Sequence, residues 1–257
     1  MLGDGAYGDV MTVVLVHGNP ETPAIWGPLV ERLGRDDILT PQLPGFGIPA
    51  PDGFGATMQE YTDWLIGELE SIGEPVDLVG HDWGGGFVIG VAMARPDLIR
   101  SWVSDLAGVF HPNYVWHDFA QLWVSDAGEQ WVTDTVAQPV EERTALMEAV
   151  GIHGDGVAAA IAGAFDEEMG RCILALYRSA AQPAMVEWGR DAEAAAARPG
   201  LVVAGTADPF AGGTTMTEQM ATRMGARFER LEGLGHFWMT DDPAQGATVL
   251  TEFWASL

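Results

Sequence analysis

The chain is 257 residues long, enough for one large domain or for a core carrying one insertion. Its 37 acidic side chains against 12 basic ones leave a formal net charge of −25, and every base is an arginine. A surface this acidic repels phosphate backbones and anionic lipids, and a chain without lysine has no Schiff-base lysine, phosphate-loop lysine or lysine general base.

Taken in chain order, short apolar strands alternate with helical patterns, the signature of a mainly parallel α/β sheet. A strand over Val10–Val16 is too uniformly apolar for a half-exposed sheet. A helix follows over Trp26–Leu33, then a strand over Asp37–Leu43 that Pro44 and Gly45 stop. Met58–Ile72 is an amphipathic helix, with Thr57 as its cap and Glu60 three residues on. Val76–Val79 is a strand, Gly84–Ala94 a helix ended by Arg95-Pro96, and Ile99–Asp105 a strand. From about Phe110 to Ala197 there are helical patterns and no strand. Trp102, Trp116, Trp123, Trp131 and Trp188 lie in or near this block. The alternation resumes with a strand at Leu201–Ala204, a helix at Thr215–Met224, a strand at Arg227–Leu231 and a last helix at Ala244–Ser256. No polar linker flanks the helical block. It therefore reads as a cap inserted into one continuing core, with residues 1–109 and 198–257 as core and 110–197 as cap.

Other classes of function fall away on composition. The 47% apolar content is that of a globular protein, so the acid excess reads as a solvated surface. One cysteine, Cys172, excludes a disulfide framework, and its apolar setting makes it a small buried residue. The opening MLGDGAYGDV has no basic patch or long apolar run, unlike a signal peptide, and no apolar run suits a bilayer. The expectation is a soluble, cytoplasmic protein.

The strongest chemical signal is Gly80-His81-Asp82-Trp83-Gly84-Gly85, between a strand and a helix. Small residues on both sides of a central side chain suit a sharp, strained nucleophile elbow. The plain alternative is an aspartate capping the helix. Upstream, Val16-His17-Gly18-Asn19-Pro20 follows the first strand and can offer a backbone N–H that completes an oxyanion hole with the N–H after the nucleophile. Downstream, Asp208 follows a strand within Gly205-Thr206-Ala207-Asp208, and His236 follows the next within Gly233-Leu234-Gly235-His236-Phe237. Each alone reads as a turn or packing residue. Together they give the order nucleophile, acid, base.

With these motifs the chain resembles α/β-hydrolase-fold enzymes with an aspartate nucleophile, the branch of epoxide hydrolases and haloalkane dehalogenases, over nearly its whole length, with a shortened N-terminal hairpin. The resemblance implies an α/β-hydrolase fold with a helical cap. It implies attack by the Asp82 carboxylate on a saturated carbon, then hydrolysis of the Asp82 ester by water activated by His236 and oriented by Asp208. The backbone N–H groups of Asn19 and Trp83 would form the oxyanion hole. Epoxide hydrolases of this fold help the leaving oxygen with cap tyrosines. Leu174-Ala175-Leu176-Tyr177-Arg178 resembles their segment, 31 residues before Asp208, and Tyr114 is the second candidate. Haloalkane dehalogenases instead hold the halide with two N–H donors, positions matched here by Trp83 and Asn19. Fluoroacetate-type relatives carry an arginine where this chain has Trp83. Asp105, 23 residues after Asp82, stands where some dehalogenases place the acid, as rival to Asp208 or as a helper bonded to His236.

The reading favoured is hydrolysis of a small, uncharged, apolar epoxide to a diol, with haloalkane dehalogenation as the alternative and a non-catalytic ligand-binding protein below it. No metal or organic cofactor is implied. Nucleic acid and membrane are not expected partners, and a homodimer is compatible with the pattern.

Overall fold

The computed structural model describes residues 11–257. Val10 and the shortened N-terminal hairpin lie outside the described residues. Six strands, β1 (Val13–Val16), β2 (Ile38–Leu39), β3 (Val76–Gly80), β4 (Ile99–Ser104), β5 (Gly200–Gly205) and β6 (Arg227–Leu231), form one sheet in the order β2-β1-β3-β4-β5-β6. Every neighbouring pair is parallel. Parallel strands need a covering layer on both faces, which is why β1, β3 and β5 are buried throughout and lack an alternating polar face. β2 is shorter than the expected Asp37–Leu43. It is an edge strand, and Pro41 and Pro44 withhold the N–H groups a longer ladder needs. The chain leaves the sheet there, and the Leu43 N–H goes to His17 Nε2 at 3.1 Å.

The covering helices of the core are α1 (Gly27–Leu33), α2 (Met58–Ile72) and α3 (Trp83–Ala94), which precede the insertion. α2 starts where its sequence says it must: the Thr57 hydroxyl accepts the Glu60 N–H at 3.2 Å, and the Glu60 carboxylate accepts the Thr57 N–H at 3.1 Å. α3 is buried on nearly every side, being the helix the elbow feeds into the centre of the fold.

Between β4 and β5 the chain makes only helices: α4 (Asp118–Val124), α5 (Gly128–Ala137), α6 (Val140–Ala149), α7 (Val157–Ala164), α8 (Glu167–Ser179) and α9 (Ala184–Trp188), with short 3-10 turns at either end. α8 is the anchor. Asp166 caps it by accepting the Met169 N–H at 2.8 Å, and Met169, Cys172, Ile173, Leu176 and Tyr177 form its buried face. After β5 come α10 (Gly213–Arg223), then α11 (Trp238–Asp241), a short helix the sequence pattern does not announce, and α12 (Pro243–Ala255). Among the described residues, no helix is long and apolar enough to cross a membrane.

Candidate active site

Because all six strands run the same way, the loops after β1, β3, β4, β5 and β6 open at one edge of the sheet. That edge is where ligands bind in open α/β folds. These five loops carry Asn19, Asp82, Asp105, Asp208 and His236.

The elbow is built by exclusion of side chains. Asp82 sits at φ 49° and ψ −127°, in the left-handed region that a non-glycine residue adopts only when its surroundings force it. A Cβ on Gly84 would lie 2.1 Å from the Val16 carbonyl oxygen, and one on Gly80 would lie 2.4 Å from that of Gly84. A Cβ on Gly18 would strike the Asp82 Cβ at 2.4 Å. The glycines that frame Asp82 are thus required by close backbone approach.

The Asp82 carboxylate is divided between two tasks. Its Oδ1 accepts the Asn19 backbone N–H at 2.8 Å, and the nearby Trp83 N–H helps to lower the carboxyl's proton affinity. Its Oδ2 lies 3.5 Å from His236 Nε2. On the far side of that ring, His236 Nδ1 bonds to Asp208 Oδ2 at 2.8 Å, and Asp208 Oδ1 accepts the N–H groups of Phe210 and Ala211. Asp82, His236 and Asp208 therefore stand in one line of contact.

Electrostatics follow the geometry. Burial alone would raise both carboxyls, but His236 outweighs it and holds Asp82 and Asp208 below the usual carboxylate range. Burial would lower His236, yet Asp208 and Asp82 on its two edges push its proton affinity well above the ordinary value. The resting pair is accordingly a carboxylate facing an imidazolium.

Asp105 does not reach His236. Its Oδ1 accepts the Asp82 backbone N–H at 2.9 Å, and its Oδ2 bonds to His81 Nδ1 at 2.6 Å and accepts the Trp238 indole N–H at 2.7 Å. Of the two carboxylates weighed from sequence, only Asp208 contacts the base.

Over these groups lies a pocket of about 550 Å³, including its open mouth. Its floor is Asn19, Asp82 and His236, and its walls are largely aromatic and aliphatic, among them Trp123, Trp131, Met147 and Phe237. Tyr177, on α8, enters from above. The Asn19 side-chain amide donates to its hydroxyl oxygen at 3.4 Å, and the Trp83 ring packs edge-on against it with centroids 5.2 Å apart. Burial and the Asp82 charge keep the Tyr177 proton on, well above the usual phenol range.

Tyr114 behaves differently. Its hydroxyl donates to the Phe210 carbonyl oxygen at 2.7 Å, and the residue lines a small side pocket rather than the main one. The second polar group of the insertion that faces Asp82 is His117, which the sequence reading passed over. Its Nδ1 accepts the Ala120 N–H at 3.3 Å as the cap of α4, which assigns its proton to Nε2. Burial lowers its proton affinity and keeps the ring neutral. The pattern His-Asp-x-x before an apolar helix was the available signal, but a histidine N-cap is uncommon enough to escape a search for Ser, Thr, Asp and Asn.

A profile of the alpha/beta hydrolase family matches residues 13–249. The chain belongs to that family. Its likeness to solved structures spans nearly all of it. The structure of a mutant of a putative epoxide hydrolase from Pseudomonas aeruginosa aligns over 96% of this chain and 88% of that one, with TM-score 0.78 and 21% identity. A haloalkane dehalogenase loop variant from Bradyrhizobium elkanii aligns over 97% and 92%, with TM-score 0.72 and 20% identity. Both likenesses are of fold. In sequence, the chain is 30% identical over 105 residues to an (E)-2-((N-methylformamido)methylene)succinate hydrolase of Acinetobacter baylyi, covering 40% of each chain. It is 34% identical over 92 residues to haloalkane dehalogenase 2 of Mycobacterium bovis, covering 34% of this chain and 32% of that one. The matched stretch is thus well under half the length of these curated relatives. It is an α/β hydrolase similar to the epoxide hydrolase and haloalkane dehalogenase branch.

Proposed function

We propose that this α/β hydrolase opens a small, uncharged epoxide to a vicinal diol through an ester on Asp82, with helices 118–188 as its cap. The observation that carries this reading is the setting of Tyr177. A hydroxyl offers two acceptor lone pairs and one proton. Here the Asn19 amide donates to the oxygen, which leaves the proton for the pocket. Asn19, one of the two N–H donors that halide release would require, is thereby committed to the tyrosine.

In the first half-reaction Asp82 Oδ2 attacks an epoxide carbon, forming a C–O ester bond as the ring C–O bond breaks. The ring oxygen takes its proton from Tyr177, with His117 Nε2–H as a second donor. A free alkoxide is far more basic than even a raised phenol, so the transfer runs downhill. Once Asp82 is an ester its charge is gone, and with it one of the two causes that keep His236 protonated. His236 then gives up its proton, which reaches the Tyr177 phenolate through solvent, and takes a proton from the water that attacks the Asp82 carbonyl carbon. The tetrahedral oxyanion is Oδ1, which already accepts the Asn19 N–H, and the Trp83 N–H completes the hole. Collapse breaks the ester C–O bond, His236 gives the water's proton to the departing diol oxygen, and the proton left on Asp82 passes to His236, restoring the carboxylate–imidazolium pair. Net, one epoxide and one water give one diol.

The lining supports the substrate class. No arginine lines the pocket that could hold a substrate carboxylate, and the net charge repels anions at long range. The test is parallel incubation with styrene oxide and 1,2-dibromoethane. Diol formation that Tyr177→Phe suppresses is expected. Bromide release undiminished by Tyr177→Phe, without diol, would establish the dehalogenase reading instead.

A further inference from the structure

Behind the catalytic line lies a second set of ionisable groups that the reaction does not touch. His81, fully buried, stands between two carboxylates. Its Nδ1 is 2.6 Å from Asp105 Oδ2 and its Nε2 is 2.9 Å from Glu21 Oε1. The Glu21 oxygen is off the axis of the N–H, so that contact is an ion pair more than a directed hydrogen bond. Both ring nitrogens need a proton to face two carboxylates. Although burial opposes the charge, Glu21 and Asp105 overcome it and push His81 up to about 10.

Each carboxylate has a further grip. The other Glu21 oxygen accepts the Gly18 N–H at 2.9 Å, one residue before Asn19. The other Asp105 oxygen accepts the Asp82 N–H at 2.9 Å, one residue before Trp83. The contacts therefore run Gly18–Glu21–His81–Asp105–Asp82 and join the two loops whose next N–H groups, Asn19 on Asp82 Oδ1 and Trp83 beside the carboxylate, form the proposed oxyanion hole. We propose that His81, locked between Glu21 and Asp105, is a positioning residue that sets the span of the oxyanion hole and so acts on hydrolysis of the ester rather than on its formation. The inference rests on the ester mechanism proposed above.

The asymmetry has a physical basis. As Asp82 Oδ2 attacks, charge drains away from Oδ1, and the hole matters less in that transition state than before it. As water attacks the ester, Oδ1 gains a full charge, and the hole matters more. A hole of the wrong span therefore slows the second half-reaction selectively. The imidazolium adds a second effect, since its ring centroid is 4.6 Å from that of His236. The charged and titratable groups around His81 are Glu21, Asp105, His236, His17 and Asp82, and removing its positive charge makes His236 easier to protonate.

The experiment is a single turnover of styrene oxide with the full chain, quenched at intervals and read as intact protein mass. In His81→Gln the ester should form at a rate within about threefold of the unsubstituted chain and decay about 30-fold or more slowly, short of the roughly 10²- to 10³-fold cost of deleting a hole donor outright because both donors remain. The ester should thus accumulate, and the acid limb of its decay should shift to higher pH. Glu21→Gln keeps an acceptor for Gly18 but loses the ion pair. It should show the same split more weakly, and it carries the test if His81→Gln does not fold. Equal slowing of both steps in a folded variant, or no slowing of either, overturns the proposal. Failure of His236→Gln to trap any ester overturns the ester mechanism itself, whatever His81 does.

Discussion

The two halves of the site are held by different forces. The lower half, on the strand-end loops, is fixed by charge: Asp82, His236, Asp208, His81, Asp105 and Glu21 form a continuous buried set of bonds, and hardly any member has room to turn. The upper half, on the helical insertion, is fixed by packing. Tyr177 touches the rings of Trp83, Trp116 and Trp123, and His117 lies edge-on to Trp123 and Phe210. A lattice of charges is stiff and costly to build, which suits a nucleophile and a base needing sub-ångström registration. Aromatic walls tolerate different substrates, which suits recognition of an uncharged molecule.

That contrast breaks first at Asp82. Asp82→Gly should lower turnover of styrene oxide by about 10⁴-fold or more, because it deletes the carboxylate proposed as nucleophile. The same change removes a Cβ from a left-handed position, so the denaturation midpoint should hold or rise, by about 1 kcal/mol. A variant both inactive and badly destabilised would mean that the elbow is shaped by the carboxylate's bonds and not in spite of its backbone. His236→Gln should come next. It should leave ester formation measurable and cut steady turnover by about 10⁴-fold, seen as one equivalent of bound substrate by mass.

On the insertion the losses should be smaller. Tyr177→Phe should reduce diol formation by about 10²- to 10⁴-fold and His117→Phe by about tenfold to a hundredfold, the range of one general acid or one hydrogen bond in a site already assembled. If the order of these two is reversed, histidine is the principal donor and tyrosine the support.

The charge lattice also makes stability depend on pH. Folding raises His81 from its ordinary 6.5 to about 10. Its contribution is therefore whole below pH 6.5 and is lost as pH rises through about 10. Thermal melts should fall across that window, and the fall should be shallower in His81→Gln. An equal slope in both would place the titration elsewhere.

The lower half was also the more legible from sequence. Gly-x-Asp-x-Gly is legible because backbone collisions leave no other residue type at Gly80 and Gly84, and Asp208 and His236 are legible because each follows a strand. What sequence left open was which carboxylate touches the base, since Asp105 and Asp208 both end strands at the same edge. Only the direction of two side chains decides it, and spacing says nothing about that. The Glu21–His81–Asp105 set was hidden for a related reason: His81 and Glu21 lie in or beside motifs already assigned to the elbow and the first loop, and Asp105, after β4, was weighed only against His236. The insertion gave its helices away, because a run without strand periodicity needs no long-range information. Of its pocket-facing polar groups, Tyr177 was named from its resemblance to the family's tyrosine segment, whereas His117 was not, because a histidine that caps a helix gives no periodic signal and is brought to the pocket by packing.

Tyr114 puts the last and smallest effect on this comparison. It belongs to the insertion by position, yet its bond is to the core: its hydroxyl donates to Phe210, two residues beyond Asp208, whose own carboxylate is held by the Phe210 and Ala211 N–H groups. It is thus a strut between the halves rather than a donor to substrate. Tyr114→Phe removes one hydrogen bond to a carbonyl and leaves the ring in place, so it should cost about 1 kcal/mol in chemical denaturation. Steady turnover should change by less than about threefold, because Asp208 keeps its own backbone donors. Should Tyr114→Phe instead match Tyr177→Phe in lost turnover, the epoxide oxygen is held by two tyrosines, and the Phe210 bond must exchange for one to substrate when the pocket fills.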